Sequence, residues 1–303
     1  MKTAFLYAGQ GTQYTGMGKD FYESFAEFRA VFDNYILPYD LRDICFKNPH
    51  NLLFRTEFAQ PCIVAFACGV TELLKDIKPD YVCGLSLGEY SALHASGVWD
   101  TKATLEIVAY RGQMMAEISK NIDSAMYAIL NLGSNEIEDC CKKVDGVVSI
   151  SNYNCPGQIV IGGEKQAVHS VAKLAKQCGA SGCIPLAVNG PFHTKYMEPV
   201  SIKLREYLLS IKMGDEHIPV IYNYLGDFNK GNDIVDLLAK QVMCSVRMED
   251  SIKCLFDNDV KRFVEIGPGR VLSDFVRKVA KKMEISQYEV INIEKVKDLN
   301  KLI

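Results

Sequence analysis

The stretch GLSLGEY, residues 84–90, sets Ser86 between Gly84 and Gly88 in a G-x-S-x-G frame. An apolar DYVCG segment precedes it and the helical pattern LGEYSALHASG follows, so the serine is predicted at a strand-to-helix corner. There its hydroxyl projects from the carboxyl end of a strand, and the two glycines remove side chains that would strike neighbouring backbone. The start of the helix aims free N–H groups at any developing oxyanion. The chemistry of such a serine is acyl transfer, either to water or to a second thiol or alcohol.

A serine hydroxyl needs a base, and the chain has five histidines: His50, His94, His169, His193 and His217. His94 lies too far along the helix that follows Ser86 to reach back. His169 faces outward on a helical pattern, and His50 sits in a polar loop. His193, behind the chain-breaking Gly190 and Pro191, and His217, beside a strand start, both stay open by position. No histidine follows residue 217, and only one clear strand precedes the corner strand. An α/β-hydrolase places several strands before its serine and its histidine late in the chain, so that layout is disfavoured.

In the helical span 101–120, Ile107, Arg111, Met114 and Ile118 form one stripe, widened by Val108 and Met115. The stripe is apolar except for the arginine. A buried guanidinium needs a partner. Either a protein carboxylate supplies it, or a substrate carboxylate does, through two parallel hydrogen bonds. The second case means an acyl group that carries its own negative charge. The glycine-rich YAGQGTQYTGMG turn has neither G-x-G-x-x-G nor Walker spacing. Its glycines suit close backbone approach, and an N–H near Gln10 suits half of an oxyanion hole.

The elements that must position these groups alternate. A strand Thr3–Ala8 is followed by helical patterns over 20–36 and by a helix from Gln60 with Pro61 in its first turn. The order βαββαβ over roughly 124–186 matches a ferredoxin-like split βαβ unit. After it the pattern resumes with strands at IPVIYN, RFVEIG and VINI. The expected fold class is α/β, a parallel-sheet core covered on both faces, over 1–123 and 187–303, with the small subdomain 124–186 inserted. The 303 residues carry a net charge of −3, which gives no general attraction to nucleic acid. Eleven cysteines without C-x-x-C spacing suggest reduced thiols, no metal and a cytoplasmic protein. The apolar run at the N-terminus is too short for a membrane span.

Together these residues resemble the malonyl-CoA:acyl carrier protein transacylases of fatty-acid synthesis and the related acyltransferase domains of polyketide synthases. The resemblance spans the chain: FLYAGQGTQYTGMG, TEFAQPCIVA, GLSLGEYSAL, YRGQMM, NYNCPGQIVIGG, GPFHTKYM, QVMCSVRMEDSI and EIGPGRVL. It implies an α/β core of the acyltransferase type, in which Ser86 carries the malonyl ester and His193 is its base. It further implies that the N–H groups of Gln10 and Leu87 hold the oxyanion, Arg111 the malonyl carboxylate, and the Gln241 carbonyl the histidine. Asn152 and Asn154 match residues near the cleft. The family's usual histidine before the serine is Leu85 here, and Met248 replaces a common tryptophan. The bulk of Phe192 argues for unbranched malonyl over methylmalonyl. The implied substrates are malonyl-CoA and acyl carrier protein, with no cofactor. The carrier is expected to dock at Arg277, Lys278, Lys281 and Lys282 of a monomer. An acyl hydrolase of carrier-bound chains, a trans-acting polyketide acyltransferase and a non-catalytic carrier-docking subunit are the competing readings.

Overall fold

The computed structural model describes residues 1–35 and 37–302. The strands among them are β1 (Lys2–Tyr7), β2 (Tyr81–Gly84), β3 (Ser124–Leu130), β4 (Val148–Cys155), β5 (Gln158–Glu164), β6 (Gly182–Pro185), β7 (Val220–Tyr222), β8 (Asp227–Phe228), β9 (Val246–Arg247), β10 (Val260–Ile266) and β11 (Glu289–Ile293). Six form one sheet in the order β11-β10-β1-β2-β7-β8, parallel throughout except for the β7–β8 edge. Residues 4–7 of β1 are all buried, as the centre of a parallel sheet covered on both faces requires. Phe5 and Tyr7 enter one apolar cluster, with the helices Thr56–Leu73, Gly88–Ser96 and Thr101–Ser119. Ala4 and Leu6 enter the other, under the helices Met248–Asp257 and Val271–Lys282. The period of two along the strand therefore divides one sequence between two core layers. No helix among the described residues is long and apolar enough to cross a membrane.

The second sheet has the order β6-β3-β5-β4-β9. β3, β5, β4 and β6 pair antiparallel in the arrangement of a split βαβ unit, with the helices Ser134–Lys142 and Lys165–Gln177 on it. β9 comes from outside residues 124–186 and runs parallel to β4, opposite Asn152 and Tyr153. This two-residue strand covers the β4 edge, which would otherwise present unpaired backbone.

Several elements differ from the sequence expectation. The pattern over 20–36 breaks into the helices Lys19–Ser24 and Ala26–Asp33, because Phe25 takes an extended backbone; Ile36 lies outside the described residues. The break lets Phe21 and Phe28 stack with centroids 5.3 Å apart, each edge-on to Phe66. The predicted CIPLAV strand stops at Pro185; the Leu186 N–H still reaches the Met126 carbonyl of β3, and Leu186 and Val188 line a cleft. The helices Leu41–Lys47 and Glu198–Leu209 carried no sequence expectation.

The helix expected from Gln60 begins at Thr56, which places Pro61 inside it rather than in its first turn. Proline cannot donate to the carbonyl four residues back, here that of Glu57. The Tyr39 hydroxyl takes that carbonyl at 3.3 Å. The exchange keeps the helix intact where it presents Gln60 to the site described below. Tyr39→Phe is expected to cost about 1 kcal/mol in urea unfolding. In a Pro61→Ala background, where the backbone regains its donor, the same substitution should cost less than half as much. Equal costs in the two backgrounds would contradict this account.

Candidate active site

The carboxyl ends of three adjacent parallel strands build the site. Tyr7 of β1 is level with Gly84 of β2, so the loop through Gly9 and Gln10 emerges beside Ser86. β7 runs on the other side of β2 and ends at Tyr222, which delivers Asn223 to the same corner. Ser86 has φ 52°, the left-handed region that a non-glycine residue enters only at a cost. The glycines of the frame are needed there. A Cβ on Gly84 would lie 2.0 Å from the Gly88 carbonyl carbon, and one on Gly88 would lie 2.1 Å from the Tyr7 carbonyl oxygen.

His193 is also left-handed, with φ 59°, and is 5% exposed. Its Nε2 lies 2.7 Å from Ser86 Oγ and its Nδ1 lies 2.8 Å from the Gln241 carbonyl oxygen. A carbonyl only accepts, so Nδ1 carries the proton and Nε2 is left to accept from the serine hydroxyl. The other histidines are elsewhere. His94 Nδ1 meets the Trp99 carbonyl oxygen, and His217 packs on Gly97, beyond the far end of the helix Gly88–Ser96. His50 and His169 are exposed.

Arg111 is 1% exposed and has no ion-pair partner among the described residues. Its Nη1 donates to Gln60 Oε1 at 2.9 Å, and its Nη2 to Gln241 Oε1 and Ser86 Oγ, each at 3.2 Å. The guanidinium carbon lies 5.3 Å from the centroid of the Tyr90 ring. The choice between a protein carboxylate and a substrate carboxylate therefore falls to neutral amides and an open place beside the serine. Burial, then the nearby Arg111 charge, pushes the His193 imidazole down to about 4.

A cleft of about 140 Å³, open to solvent, lies between the two sheets. Gly9, Gln10, Leu85, Ser86, Arg111 and His193 line it from one side, and Asn152, Asn154 and Val160 from the other. Phe192, Met115 and Met126 make much of its wall apolar. Leu85 packs into the apolar cluster under the helices Met248–Asp257 and Val271–Lys282. Met248 is fully buried in that same cluster. The N–H groups of Gln10 and Leu87 find no acceptor among the described residues.

A family model described as "Acyl transferase domain" matches residues 4–301. The chain belongs to the acyl transferase family. Among curated acyl transferases, the malonyl CoA-acyl carrier protein transacylase of Bacillus subtilis is 39% identical over 303 residues, covering 96% of each chain. The crystal structure of malonyl CoA-acyl carrier protein transacylase from Clostridium perfringens superposes with a TM-score of 0.94 at 36% identity, over 100% of this chain and 96% of that one. A malonyl-transacylase solved in complex with its type II PKS acyl-carrier protein gives 0.93 at 31% identity, over 99% and 98%. The protein is thus an acyltransferase with a mixed α/β fold.

Three residues of this acyltransferase site had no place in the sequence reading. Gln60 holds Arg111, while Asn223 and Glu89 stand behind the serine turn. Gln60 interrupts the apolar run from Phe58 to Val70, which is the same signal that singled out Arg111. Glu89 looks from sequence like an ordinary acid in a helix first turn, and Asn223 like a strand-end turn residue. Burial distinguishes them, since all three are 0% exposed.

A histidine accepts the serine proton only when neutral. With its imidazole held near 4 instead of the usual 6.5, kcat/KM for acyl loading should stay level as pH falls through 6.5 and decline only as pH approaches 4. Rapid-quench loading across this range checks it, and an acid limb centred near 6.5 would contradict the burial argument.

Proposed function

We propose that the protein transfers a malonyl group from malonyl-CoA to the phosphopantetheine thiol of acyl carrier protein through an ester on Ser86. One observation carries this reading: the buried Arg111 guanidinium lies 3.2 Å from Ser86 Oγ and is held only by neutral partners. A cation so placed fits an acyl group with a free carboxylate at its far end. The names of the Bacillus and Clostridium relatives, malonyl CoA-acyl carrier protein transacylase, support the same assignment.

The cycle has two half-reactions. His193 Nε2 takes the proton of Ser86 as Oγ attacks the thioester carbonyl, and returns it to the departing CoA thiolate. The carrier thiol then gives its proton to His193, attacks the ester carbonyl, and the serine leaves with that proton. The Gln241 carbonyl keeps Nδ1 protonated throughout. The free N–H groups of Gln10 and Leu87 are assigned to the oxyanion, where each such donor is worth about 3 kcal/mol. No cofactor enters the scheme.

Residues 1–123 with 187–303 act as the catalytic subdomain and 124–186 as the small subdomain, which closes the cleft with Asn152, Asn154 and Val160. Phe192 in the cleft wall favours an unbranched malonyl chain. Acyl carrier protein is acidic, and Arg277, Lys278, Lys281 and Lys282 are exposed on a helix that lies against β4, the strand of Asn152 and Asn154. Arg277 is paired to Asp274 and Lys282 to Glu249, which leaves Lys278 and Lys281 as the freer cations for docking.

Arg111→Ala should lower malonyl loading by about 100-fold or more, the scale of a lost charge-assisted pair, while acetyl loading falls little or rises. Equal losses for both acyl groups would make Arg111 structural. Incubation with labelled malonyl-CoA and no acceptor should leave a stoichiometric label that disappears in Ser86→Ala. Rapid release of free malonate would instead indicate a hydrolase, and carrier binding without any label a docking subunit.

A further inference from the structure

Behind the cleft, and lining no part of it, lies a buried acid to which the proposed mechanism gives no role. Glu89 is 0% exposed, and its Oε1 has no hydrogen-bond partner among the described residues. Its Oε2 accepts the backbone N–H of Asn223 at 2.7 Å and the side-chain amide of Gln241 at 3.5 Å. Burial pushes the Glu89 carboxyl up to about 8, and a buried polar group with one oxygen unpartnered still carries a cost, so the position calls for a compensating task.

Asn223 and Gln241 indicate that task. Asn223 Oδ1 accepts the Ser86 N–H at 2.5 Å, and its Nδ2 donates to the Gly84 carbonyl at 2.6 Å. Gln241 Nε2 donates to the Ser86 carbonyl at 2.7 Å, while its own carbonyl accepts from His193 Nδ1. The left-handed serine is therefore clamped on both sides of its backbone, at its N–H and at its C=O. Both clamping residues reach one oxygen of the Glu89 carboxyl group, Asn223 by a short bond and Gln241 by a long one. A residue in a sparsely populated conformation persists only where its surroundings over-determine it, and here they do so through Glu89.

We infer that Glu89 is a positioning residue for acyl transfer: it fixes Asn223 and Gln241, and through them both the Ser86 turn and the His193 ring. The inference rests on the Ser86 acyl-enzyme reading and assigns Glu89 no contact with substrate. Arg111 shares Gln241 with this network but also holds Gln60, which Glu89 does not touch, so losing Glu89 should disturb bond-making more than grip on the malonyl carboxylate.

The test is single-turnover loading of the full-length protein with malonyl-CoA and, separately, acetyl-CoA. Glu89→Ala should lower the loading rate about 100-fold for both acyl groups, the scale of a misplacement near 1 Å, with KM for malonyl-CoA moved less than about threefold. Glu89→Gln keeps an acceptor for the Asn223 N–H and should recover to within about tenfold of wild type. Asn223→Ala, which removes the clamp on the Ser86 N–H, should also lower loading of both acyl groups, and the double variant should lose less than the product of the two single losses. If Glu89→Ala does not melt above the assay temperature, Glu89→Met, which fills the space but accepts no N–H, carries the test: a loss of about 100-fold for both acyl groups supports the inference, and wild-type loading overturns it. A wild-type rate in a folded Glu89→Ala, a loss confined to malonyl, or no rescue by Glu89→Gln would each overturn it. Failure of the underlying reading looks different, because the wild-type protein itself would then carry no acyl group on Ser86.

Discussion

A single buried cation organises this site. The Arg111 guanidinium is almost fully removed from water, yet no carboxylate of the protein pairs with it among the described residues. An isolated charge in such a place is costly, and here amide oxygens, a hydroxyl and an aromatic face offset part of the cost. Neutral partners hold the group in position without cancelling its charge. The same charge acts a second time, on His193, where it adds to burial in keeping the imidazole neutral. In the proposed cycle one residue thus bears on both the choice of acyl group and the readiness of the base.

The fold makes this possible through strand order. Because β1, β2 and β7 are adjacent and parallel, their carboxyl ends deliver Gln10, Ser86 and Asn223 to one spot. The helices then fill in from the sides. Thr56–Leu73 brings Gln60 and Thr101–Ser119 brings Arg111, while Ile234–Met243 brings the amide and carbonyl of Gln241. Two left-handed residues, Ser86 and His193, face each other at 2.7 Å, and the side-chain amides of Asn223 and Gln241 hold the Ser86 backbone on both sides. Rigidity at the reacting centre comes from this second ring of amides more than from any ion pair.

Local signals in the sequence went far, and their limits have physical causes. The Gly84–Ser86–Gly88 frame dictates its corner because no other residue fits those backbone approaches. Arg111 stood out because one charge interrupts an apolar stripe. The choice between His193 and His217 could not be made from spacing alone: both sit in loops, and only the tertiary fold puts one against Ser86 and the other beyond the opposite end of a helix. Glu89 and Asn223 were invisible for a related reason, since an acid in a helix first turn and an asparagine after a strand are common on surfaces. Pro61 misled the helix boundary because its missing donor is replaced by the Tyr39 hydroxyl, a long-range contact with no local trace. β8 and β9, of two residues each, are too short for any periodicity to show.

The claim that an uncompensated charge selects the cargo can be tested on the unmodified protein by changing the cargo alone. Loading of Ser86 from malonyl-CoA would be compared with loading from the analogue whose terminal carboxylate is a carboxamide, equal in size but neutral. The account predicts a preference of about 100-fold for the carboxylate, on the order of 2–3 kcal/mol. Equal loading of the two would show that Arg111 does not read charge, and would contradict it.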